Sequence, residues 1–290
     1  MRIFVTGASG SLGQELVPKL IEFGHEVYAP AHTDFDITEP LHIGRFAAGE
    51  FGKFDVMFNL AGFTNVDLAE EQREEAVGLN TIAPGWLAAA CAERQTSFVH
   101  LSTDFVFDGS SQIPYTEISS KNPINFYGQT KSDGEDEVLA INPQAIIIRT
   151  SWLYGKFKNS FVKAIIDRIS KNQTIRAVDD QTGTPTSAYE LANVLAQITN
   201  SLPPPGVYHA AGNEIVNRYQ QAQMIAEIYK KLILTRSLPE IQSVTSQKFA
   251  TKAKRPSFSA LDSSKMNALY SPMGTLKSAL ERAISELIKQ

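Results

Sequence analysis

The sequence predicts an α/β protein: a Rossmann-like, doubly wound parallel sheet with a smaller C-terminal lobe. Short apolar runs alternate with segments of helical periodicity, which is the pattern of βαβ units. A glycine-rich turn directly follows the first apolar run. The chain has 290 residues and is 43% hydrophobic, so it can bury a large core.

The expected elements of the sheet follow from these runs. We expect strands near residues 2–6, 26–29, 55–60, 97–102 and 145–149, and crossover helices near 13–23, 76–94 and 127–140. Beyond residue 150 the alternation loosens, and the run 206–211 is expected to return a strand to the sheet. A linker precedes this run, because three consecutive prolines at 203–205 end any helix. We predict one domain over 1–150, with a returning segment near 174–216, and a lobe over most of 151–290.

Composition excludes several classes of partner. The 27 basic and 31 acidic residues give a formal net charge of -4, which offers no attraction for a polyanion, so no nucleic acid is expected. Cys91 is the only cysteine and lies in an alanine-rich segment, which predicts a buried helical thiol and a cytoplasmic chain without disulfides. The amino terminus lacks the apolar run of a signal peptide or membrane span, so no membrane partner is expected.

The turn after the first strand has the spacing of a dinucleotide-binding loop. It reads T-G-A-S-G-S-L-G over residues 6–13 and opens the first helix. Gly7, Gly10 and Gly13 would let the backbone approach a pyrophosphate, and the helix would present free N–H groups to it. A tight turn without a ligand is the alternative, but the position at the start of a βαβ unit favours NAD(P). The first domain is therefore predicted to be an NAD(P)-binding Rossmann domain, and the lobe to bind the substrate.

The end of the second strand bears on the choice of cofactor. Residues 27–33 contain no acid that would bind an adenosine 2′-hydroxyl and repel a 2′-phosphate. We therefore expect NADPH or NADH, with NADPH preferred. His32 could assist a phosphate, although a solvated loop histidine is the more ordinary interpretation. Asp36 and Ile37 could border the adenine, the alternative being a simple turn.

Two further motifs predict the chemistry. Ser102, Thr103 and Asp104 end a strand at the carboxyl edge of the sheet, where Thr103 could bind a substrate oxygen, although turn chemistry is an alternative. Tyr127 and Lys131 open a helix, and their i,i+4 spacing places both on one face. Moving the phenol pKa from about 10 towards 7 needs roughly 4 kcal/mol, which Lys131 and a cationic nicotinamide could supply. Such a tyrosine passes a proton to or from a carbonyl oxygen while hydride moves at the adjacent carbon.

A second Y-x-x-x-K pattern occurs at Tyr154 and Lys158. It follows a strand and has a glycine beside the tyrosine, so we expect a loop, in which residues four apart share no face. We therefore predict a structural role for Tyr154.

Taken together, these motifs resemble the dTDP-4-dehydrorhamnose reductases of the extended short-chain dehydrogenase/reductase family, nearly end to end. The matching segments are 6–13, 59–67, 102–109, 127–131, 149–155, 180–186 and 255–257. The resemblance implies NAD(P)H-dependent reduction of the 4-keto group of dTDP-4-dehydro-L-rhamnose, which gives dTDP-L-rhamnose for polysaccharide biosynthesis. The implied partner is thus a nucleotide sugar.

The resemblance also implies roles for individual residues. Tyr127 would protonate the new alkoxide, Lys131 would hold the nicotinamide ribose and depress the tyrosine pKa, and Thr103 would assist them. The implied cofactor-binding residues are Gly7, Gly10, Ser11, Leu12, Gly13, Asp36, Ile37, Leu60, Ala61, Gly62, Phe63, Thr64, Ser102, Tyr127 and Lys131. The implied substrate-binding residues are Val66, Thr103, Asp104, Tyr127, Trp152 and Arg255. A core aromatic is the alternative for Trp152, and a surface ion pair is the alternative to a diphosphate contact for Arg255.

The chain departs from the family pattern in two places. The segment Asn59–Thr64 replaces the run of alanines associated with the family, so packing near the nicotinamide is expected to differ. The carboxyl terminus, with Glu281 and Glu286, does not clearly show the acidic cluster through which some members bind magnesium and dimerise. Magnesium therefore stays open, and we expect a monomer or a homodimer.

Three rival functions remain at this stage. The first is an epimerase or dehydratase of a nucleotide sugar, which would keep the Tyr/Lys pair, and the second is a reductase of another 4-keto sugar nucleotide. The third is a non-catalytic NADP-binding subunit like the regulatory subunit of methionine adenosyltransferase. The presence of Tyr127, Lys131 and Thr103 argues against a silent subunit, because it has no chemical need for all three.

Overall fold

The computed structural model describes residues 1–157, 160–234, 237–249 and 251–289. The strands are β1 (Arg2–Thr6), β2 (Glu26–Tyr28), β3 (Val56–Asn59), β4 (Ser97–Thr103), β5 (Ile146–Thr150), β6 (Leu153–Tyr154), β7 (Ile175–Val178), β8 (Thr182–Gly183), β9 (Thr186–Ser187), β10 (Gly206–His209), β11 (Val216–Asn217) and β12 (Ile241–Val244). The α-helices are α1 (Gly13–Glu22), α2 (Pro40–Ala47), α3 (Val66–Ala69), α4 (Arg73–Val77), α5 (Ala83–Glu93), α6 (Phe126–Ile141), α7 (Phe161–Ser170), α8 (Ala188–Gln197), α9 (Arg218–Ile233), α10 (Ser264–Asn267) and α11 (Leu276–Ile288).

The main sheet has six parallel strands in the order β2-β1-β3-β4-β5-β10. The α/β, Rossmann-like fold expected from the sequence is confirmed, and the five predicted strands match to within a residue or two. β10 returns to the sheet beside β5, as the run after the proline linker predicted. The strand order reverses between β1 and β3, and open sheets bind ligands at the carboxyl ends of strands on either side of such a switch point. The domain boundary near residue 150 stays a prediction.

The predicted helix over 76–94 is wrong in detail. α4 leads into a π-helical turn over Gly78–Ile82, and α5 begins only at Ala83. The turn packs against α6, where a side chain at Gly134 would collide with the backbone oxygen of Asn80. Periodicity alone cannot show such an insertion, because the extra residue shifts the register by only part of a turn.

The structure has apolar cores on both faces of the sheet and another beneath the carboxyl-terminal helices. One face packs around Leu16, Val5 and Ile148, and the other around Phe4, Leu87 and Ile147. The core beneath the carboxyl-terminal helices lies between α7, α9 and α11 and covers β7. Cys91 is fully buried in α5, as expected. None of the helices in the described part of the chain is long and apolar enough to cross a membrane.

α6 lies very close to the sheet because two of its glycines permit it. A Cβ at Gly128 would overlap the backbone oxygen of Phe105, and Gly134 is equally tight against the π-turn. Asn125 caps the helix, its Oδ1 accepting from Gly128 N at 2.7 Å. These contacts fix the first turn of α6 directly over the carboxyl end of β4.

A buried ion pair ties the middle of α6 to β5. Arg149 Nε and Nη2 donate to the two oxygens of Glu135 at 2.8 and 2.6 Å, and both side chains are at most 3% exposed. Ser102 Oγ donates to Glu135 Oε1 at 2.5 Å, and Lys121 Nζ lies 3.4 Å from Oε2. Arg149 also lies over the ring of Phe107, 5.1 Å from its centroid.

Breaking this pair from one side should destabilise the fold severely. In Arg149→Met, Glu135 keeps its burial but loses its bidentate partner, so we expect the free energy of unfolding to fall by about 3–5 kcal/mol. Urea unfolding followed by circular dichroism measures the change. The matched control is Arg45→Met, which breaks the exposed 2.7 Å pair between Arg45 and Glu50 and should cost less than about 1 kcal/mol. Equal losses in the two variants would contradict the assigned role.

Candidate active site

The glycine loop after β1, called here the glycine cradle (residues 6–13), packs so closely against backbone atoms that it admits no side chain at Gly7 or Gly13. Gly7 has a φ of +67°, and a Cβ there would lie 2.6 Å from the backbone nitrogen of Ala61. A Cβ at Gly13 would lie 2.5 Å from Gly7 O, and Gly10 N donates to that same oxygen at 2.9 Å. The neighbouring Ser11 and Leu12 face inward: Ser11 Oγ donates to Phe157 O at 3.0 Å, and Leu12 is buried.

The segment after β3 faces this loop across the switch point. Phe63 is held by Asn80, whose Oδ1 accepts from Phe63 N at 2.9 Å and whose Nδ2 donates to Phe63 O at 3.0 Å. A Cβ at Gly62 would lie 2.9 Å from Asn80 Oδ1 and 4.0 Å from Lys131 Nζ. The predicted cofactor residues Leu60–Thr64 therefore lie between the glycine cradle and Lys131. Asn80 was missed, because only the π-turn brings it here.

Asp36 and Ile37 have local partners. Asp36 Oδ1 accepts from the backbone nitrogen and the hydroxyl of Thr38, both at 2.8 Å, and Oδ2 lies 3.3 Å from His32 Nε2. Burial opposes these contacts, but together they lower the pKa of Asp36. Ile37 is buried in the core beside Phe4. Asp36 thus forms a simple turn, the alternative to a contact with adenine, and its carboxylate is already bound by Thr38 and His32.

Tyr127 lies at the carboxyl end of β4 beside Thr103 and Asp104. Its ring meets Phe105 edge-on at a centroid distance of 6.0 Å and packs on the cluster around Phe63. Burial raises the pKa of Tyr127 to about 12, and the charge of Asp104 adds to this, whereas Thr103 opposes it. The protein's own residues therefore do not lower the pKa of the tyrosine, because their desolvation of the phenolate prevails. The depression expected from Lys131 together with a cationic nicotinamide stays a prediction. Tyr127 is a protonated phenol at neutral pH.

Asp104 is an unusual carboxyl group at this edge. It is 2% exposed, and Thr103 Oγ1 donates to its Oδ1 at 3.1 Å. Its Oδ2 is buried without a hydrogen-bond partner among the described residues. Burial raises the pKa of Asp104 to about 6, against the opposing hydroxyls of Ser259 and Thr103 and the charge of Arg218.

Lys131 sits one turn after Tyr127 and is almost wholly buried. Its Nζ donates to Leu101 O at 2.6 Å and lies 3.3 Å from His100 Nε2. Burial lowers the pKa of Lys131 to about 8, and the charge of Glu135 partly offsets this. Ser102, a predicted cofactor residue, directs its hydroxyl to Glu135. The spacing of Lys131 and Glu135 was visible in the sequence, but nothing there showed that Glu135 is buried.

Trp152 follows β5 at the carboxyl edge of the sheet and has a left-handed conformation, with a φ of +46°. The guanidinium of Arg218 lies over its ring, 3.5 Å from the centroid, and a Cβ at Gly183 would lie 2.6 Å from its Cε2. Arg218 also donates to Gln221 Oε1 at 3.0 Å, and no carboxylate among the described residues forms an ion pair with it. Burial lowers the pKa of Arg218 to about 9. Sequence reasoning missed Arg218, which no motif singles out.

Arg255 forms the ion pair that was weighed as its alternative. Its Nη2 and Nη1 lie 2.6 and 3.2 Å from the two oxygens of Asp67, one residue after Val66 in α3. The guanidinium of Arg255, and to a lesser extent the backbone around it, lowers the pKa of Asp67 against the effect of burial. The pair links the lobe to the sheet domain. No described carboxylate lies within ion-pair distance of Arg218, although the charge of Asp104 acts on it.

The second Tyr/Lys pattern is not a helical pair. Tyr154 belongs to the short strand β6 rather than to a loop, and its side chain is buried in the core of the lobe. Lys158 lies outside the described residues. At the carboxyl terminus, Glu286 lies 3.5 Å from Lys156 Nζ, which also lies 3.8 Å from Glu15. No group of three His, Cys, Asp or Glu residues in the described ranges could hold a metal.

Comparisons with known proteins agree with this arrangement. A family model described as "RmlD substrate binding domain" matches residues 1–289. A dTDP-4-dehydrorhamnose reductase of Aggregatibacter actinomycetemcomitans is 33% identical over 99% of this chain and 98% of its own. A solved dTDP-4-dehydrorhamnose reductase from Clostridium acetobutylicum superposes with a TM-score of 0.91 at 35% identity and full coverage of both chains. One from Bacillus anthracis, solved in complex with NADP, gives 0.89 at 29% identity over 98% of this chain and 99% of its own.

The resemblance read from the glycine loop and the Tyr127–Lys131 pair thus extends over essentially the whole chain, in sequence and in three dimensions. This chain belongs to the dTDP-4-dehydrorhamnose reductase family.

Proposed function

We propose that this protein reduces the 4-keto group of dTDP-4-dehydro-L-rhamnose to give dTDP-L-rhamnose, with NADPH as the preferred reductant. The observation that carries the proposal is the position of Tyr127 beside Thr103 at the carboxyl end of β4, against the Phe63 cluster and one helical turn before the buried Lys131. Relatives named for this reaction support the choice of substrate. The nucleotide sugar would place its ketone at Tyr127 and its diphosphate towards Arg218 in the lobe.

The residues present fit a nicotinamide dinucleotide. Side chains at Gly7 or Gly13 would collide with the backbone of Ala61 and Ala8, so glycine is required for the tight turn that brings the amino terminus of α1 to the carboxyl end of β1. The dipole and free N–H groups of that terminus suit a pyrophosphate. NADPH is preferred because no acid stands in the strand end 27–33 and Asp36 is occupied by Thr38. The bound NADP of the Bacillus anthracis relative supports the same choice.

The proposed mechanism follows from the charge states of the site. The cofactor supplies hydride to the carbonyl carbon when it is bound. Tyr127 holds its proton at neutral pH, so it can donate that proton to the oxygen that becomes an alkoxide. Thr103 lies beside the phenol and can orient the same oxygen. Lys131, held between Leu101 and Gly62, is placed to bind the ribose and to stabilise the phenolate that remains.

The first test is NADPH oxidation with dTDP-4-dehydro-L-rhamnose. Tyr127→Phe removes only the phenolic hydroxyl and should lower kcat at least 100-fold, because a positioned general acid contributes about that much. We expect NADPH to support a kcat/KM at or above that of NADH. Absence of turnover by the wild type would refute the proposed substrate, and a silent subunit would give this result. Equal turnover by the variant would refute the role of Tyr127, and tightly copurified NAD would favour an epimerase.

The pH dependence of kcat/KM should have a plateau between about pH 6 and pH 8. Asp104, with its pKa raised to about 6, loses its charge as the pH falls through that value. Lys131, with its pKa lowered to about 8, loses its charge as the pH rises through that value. Tyr127 titrates near 12 and should contribute no limb below pH 10. The measurement is kcat/KM from pH 5 to 10, with Asp104→Asn expected to abolish the acid limb and Lys131→Arg the alkaline one.

Arg218 should contribute to binding of the anionic part of the substrate. Arg218→Met keeps an apolar stem on Trp152 but removes the charge, so we expect the KM for the nucleotide sugar to rise at least tenfold, which corresponds to about 1.4 kcal/mol. The KM for NADPH should stay unchanged. Arg282→Met is the matched control. Arg282, on α11, also lies over an aromatic ring, with its guanidinium 3.9 Å from the ring centroid of Tyr189. An unchanged substrate KM in Arg218→Met would exclude this role.

We further infer that the protein acts in the cytoplasm as a monomer or a homodimer.

A further inference from the structure

A buried chain of hydrogen bonds connects the first strand to Lys131. Thr6 Oγ1 donates to Asn59 Oδ1 at 2.6 Å, and Asn59 Nδ2 lies 3.0 Å from His100 Nδ1. His100 Nε2 then lies 3.3 Å from Lys131 Nζ. The four side chains are at most 5% exposed and run from β1 through β3 and β4 to α6. The proposed mechanism gives no role to His100, although it touches Lys131 directly.

Each connecting group in this chain can both donate and accept a hydrogen bond. A hydroxyl, a carboxamide and a neutral imidazole all have this property, whereas an ammonium group only donates. With the amide of Asn59 as placed, His100 Nδ1 accepts, so Nε2 carries the proton and can donate only to an uncharged Lys131 amine. A charged Lys131 requires the opposite arrangement, in which Nε2 accepts and Nδ1–H donates to the amide oxygen.

We propose that His100 is a positioning residue for Lys131 and that its tautomer changes with the charge of the lysine. The carboxamide of Asn59 turns over with it, so that its oxygen accepts from His100 Nδ1–H and its nitrogen donates to Thr6 Oγ1. The imidazole loses a proton at one nitrogen and gains one at the other, so it stays neutral. Lys131 exchanges its own proton with solvent. In either charge state His100 then presents Lys131 with a nitrogen of the matching kind, so the buried contact between them keeps a donor and an acceptor. A buried polar group left without a partner costs about 1–3 kcal/mol.

The charges around the chain favour this behaviour. Burial and the charge of Lys131 hold the pKa of His100 well below its usual value, so an imidazolium does not compete. Burial brings the pKa of Lys131 to about 8, with Glu135 opposing. The negative charge of Glu135 is balanced by the positive charges of Arg149 and Lys121, which lower its pKa despite burial.

The other titratable groups near Lys131 change charge elsewhere. Tyr127, on the same helix, titrates near 12, and Asp104, at the end of β4, titrates near 6. Lys131 is therefore the group of this cluster that changes charge near pH 8. The inference rests on the proposed function in one respect only, which is the role of Lys131 in binding the ribose and stabilising the phenolate.

The test is nitrogen-15 NMR of the full chain labelled at its five histidines, without cofactor or substrate, from pH 5.5 to 10. The chemical shifts of the two ring nitrogens distinguish both tautomers from the imidazolium. We expect His100, assigned by loss of its signals in His100→Gln, to pass from the Nδ1–H to the Nε2–H tautomer with a midpoint near pH 8. A single tautomer over the whole range, or an imidazolium above pH 6, would overturn the proposal.

His209 provides an internal control in the same spectra. It is also fully buried, but its Nδ1 faces the backbone oxygen of Tyr115 at 3.1 Å, which can only accept. Its Nε2 lies 3.4 Å from Arg149 Nη1, which can only donate. His209 should therefore keep the Nδ1–H tautomer throughout, since burial lowers its pKa to about 4. A tautomer change in both histidines would show a general pH effect and overturn the specific coupling.

Asn59→Asp supplies a directional variant. A carboxylate only accepts, so it should lock His100 as the Nδ1–H tautomer, with Nε2 accepting from a charged Lys131. We expect the tautomer step to disappear and the alkaline limb of kcat/KM to move to higher pH. A persistent step near pH 8 in this variant would contradict the chain, and if the variant does not fold, the wild-type titration decides alone. Turnover plays no part in that titration, so its failure and the failure of the proposed function are distinguishable.

Discussion

The bidentate ion pair between Glu135 and Arg149 fixes the helix on which the site is built. It joins the middle of α6 to β5, and the hydroxyl of Ser102 adds β4 to the same carboxylate. A buried carboxylate is stable as an ion only where such partners surround it. Because Glu135 lies one turn after Lys131, the pair that holds the helix also provides the negative charge that moderates the lysine pKa. Fold stability and the electrostatics of the site therefore depend on one contact.

Close packing adds a second constraint on the same helix. Gly128 and Gly134 leave no room for side chains against Phe105 and the π-turn, so α6 cannot move away from β4 without opening a gap. The π-turn also places the side chain of Asn80 so that it hydrogen-bonds to the backbone of Phe63. Tyr127 and Lys131 are thus placed by backbone contacts on either side of the helix, and not by their own hydrogen bonds alone.

The sequence predicted those features that local pattern encodes. The strands, the glycine loop and the Tyr127–Lys131 helix follow from periodicity and spacing within one segment. Arg218, Asn80 and His100 could not be found in this way, because each reaches the site through contacts between distant segments. The effect of burial on the pKa of Tyr127 was not predictable for a related reason: spacing showed the nearby cation, whereas desolvation depends on everything packed around the phenol.

Tyr127 keeps its proton at neutral pH, as reduction of a ketone requires. A reductase needs a proton donor when the alkoxide forms, and a phenol that is fully protonated at neutral pH is always ready to donate. The phenolate left behind must then be stabilised, and Lys131 is the nearby group that can supply the charge. Its own burial makes that charge costly, which is why a neighbour able to accept or donate matters. His100 is such a neighbour, because it can hydrogen-bond to Lys131 in both charge states of the lysine.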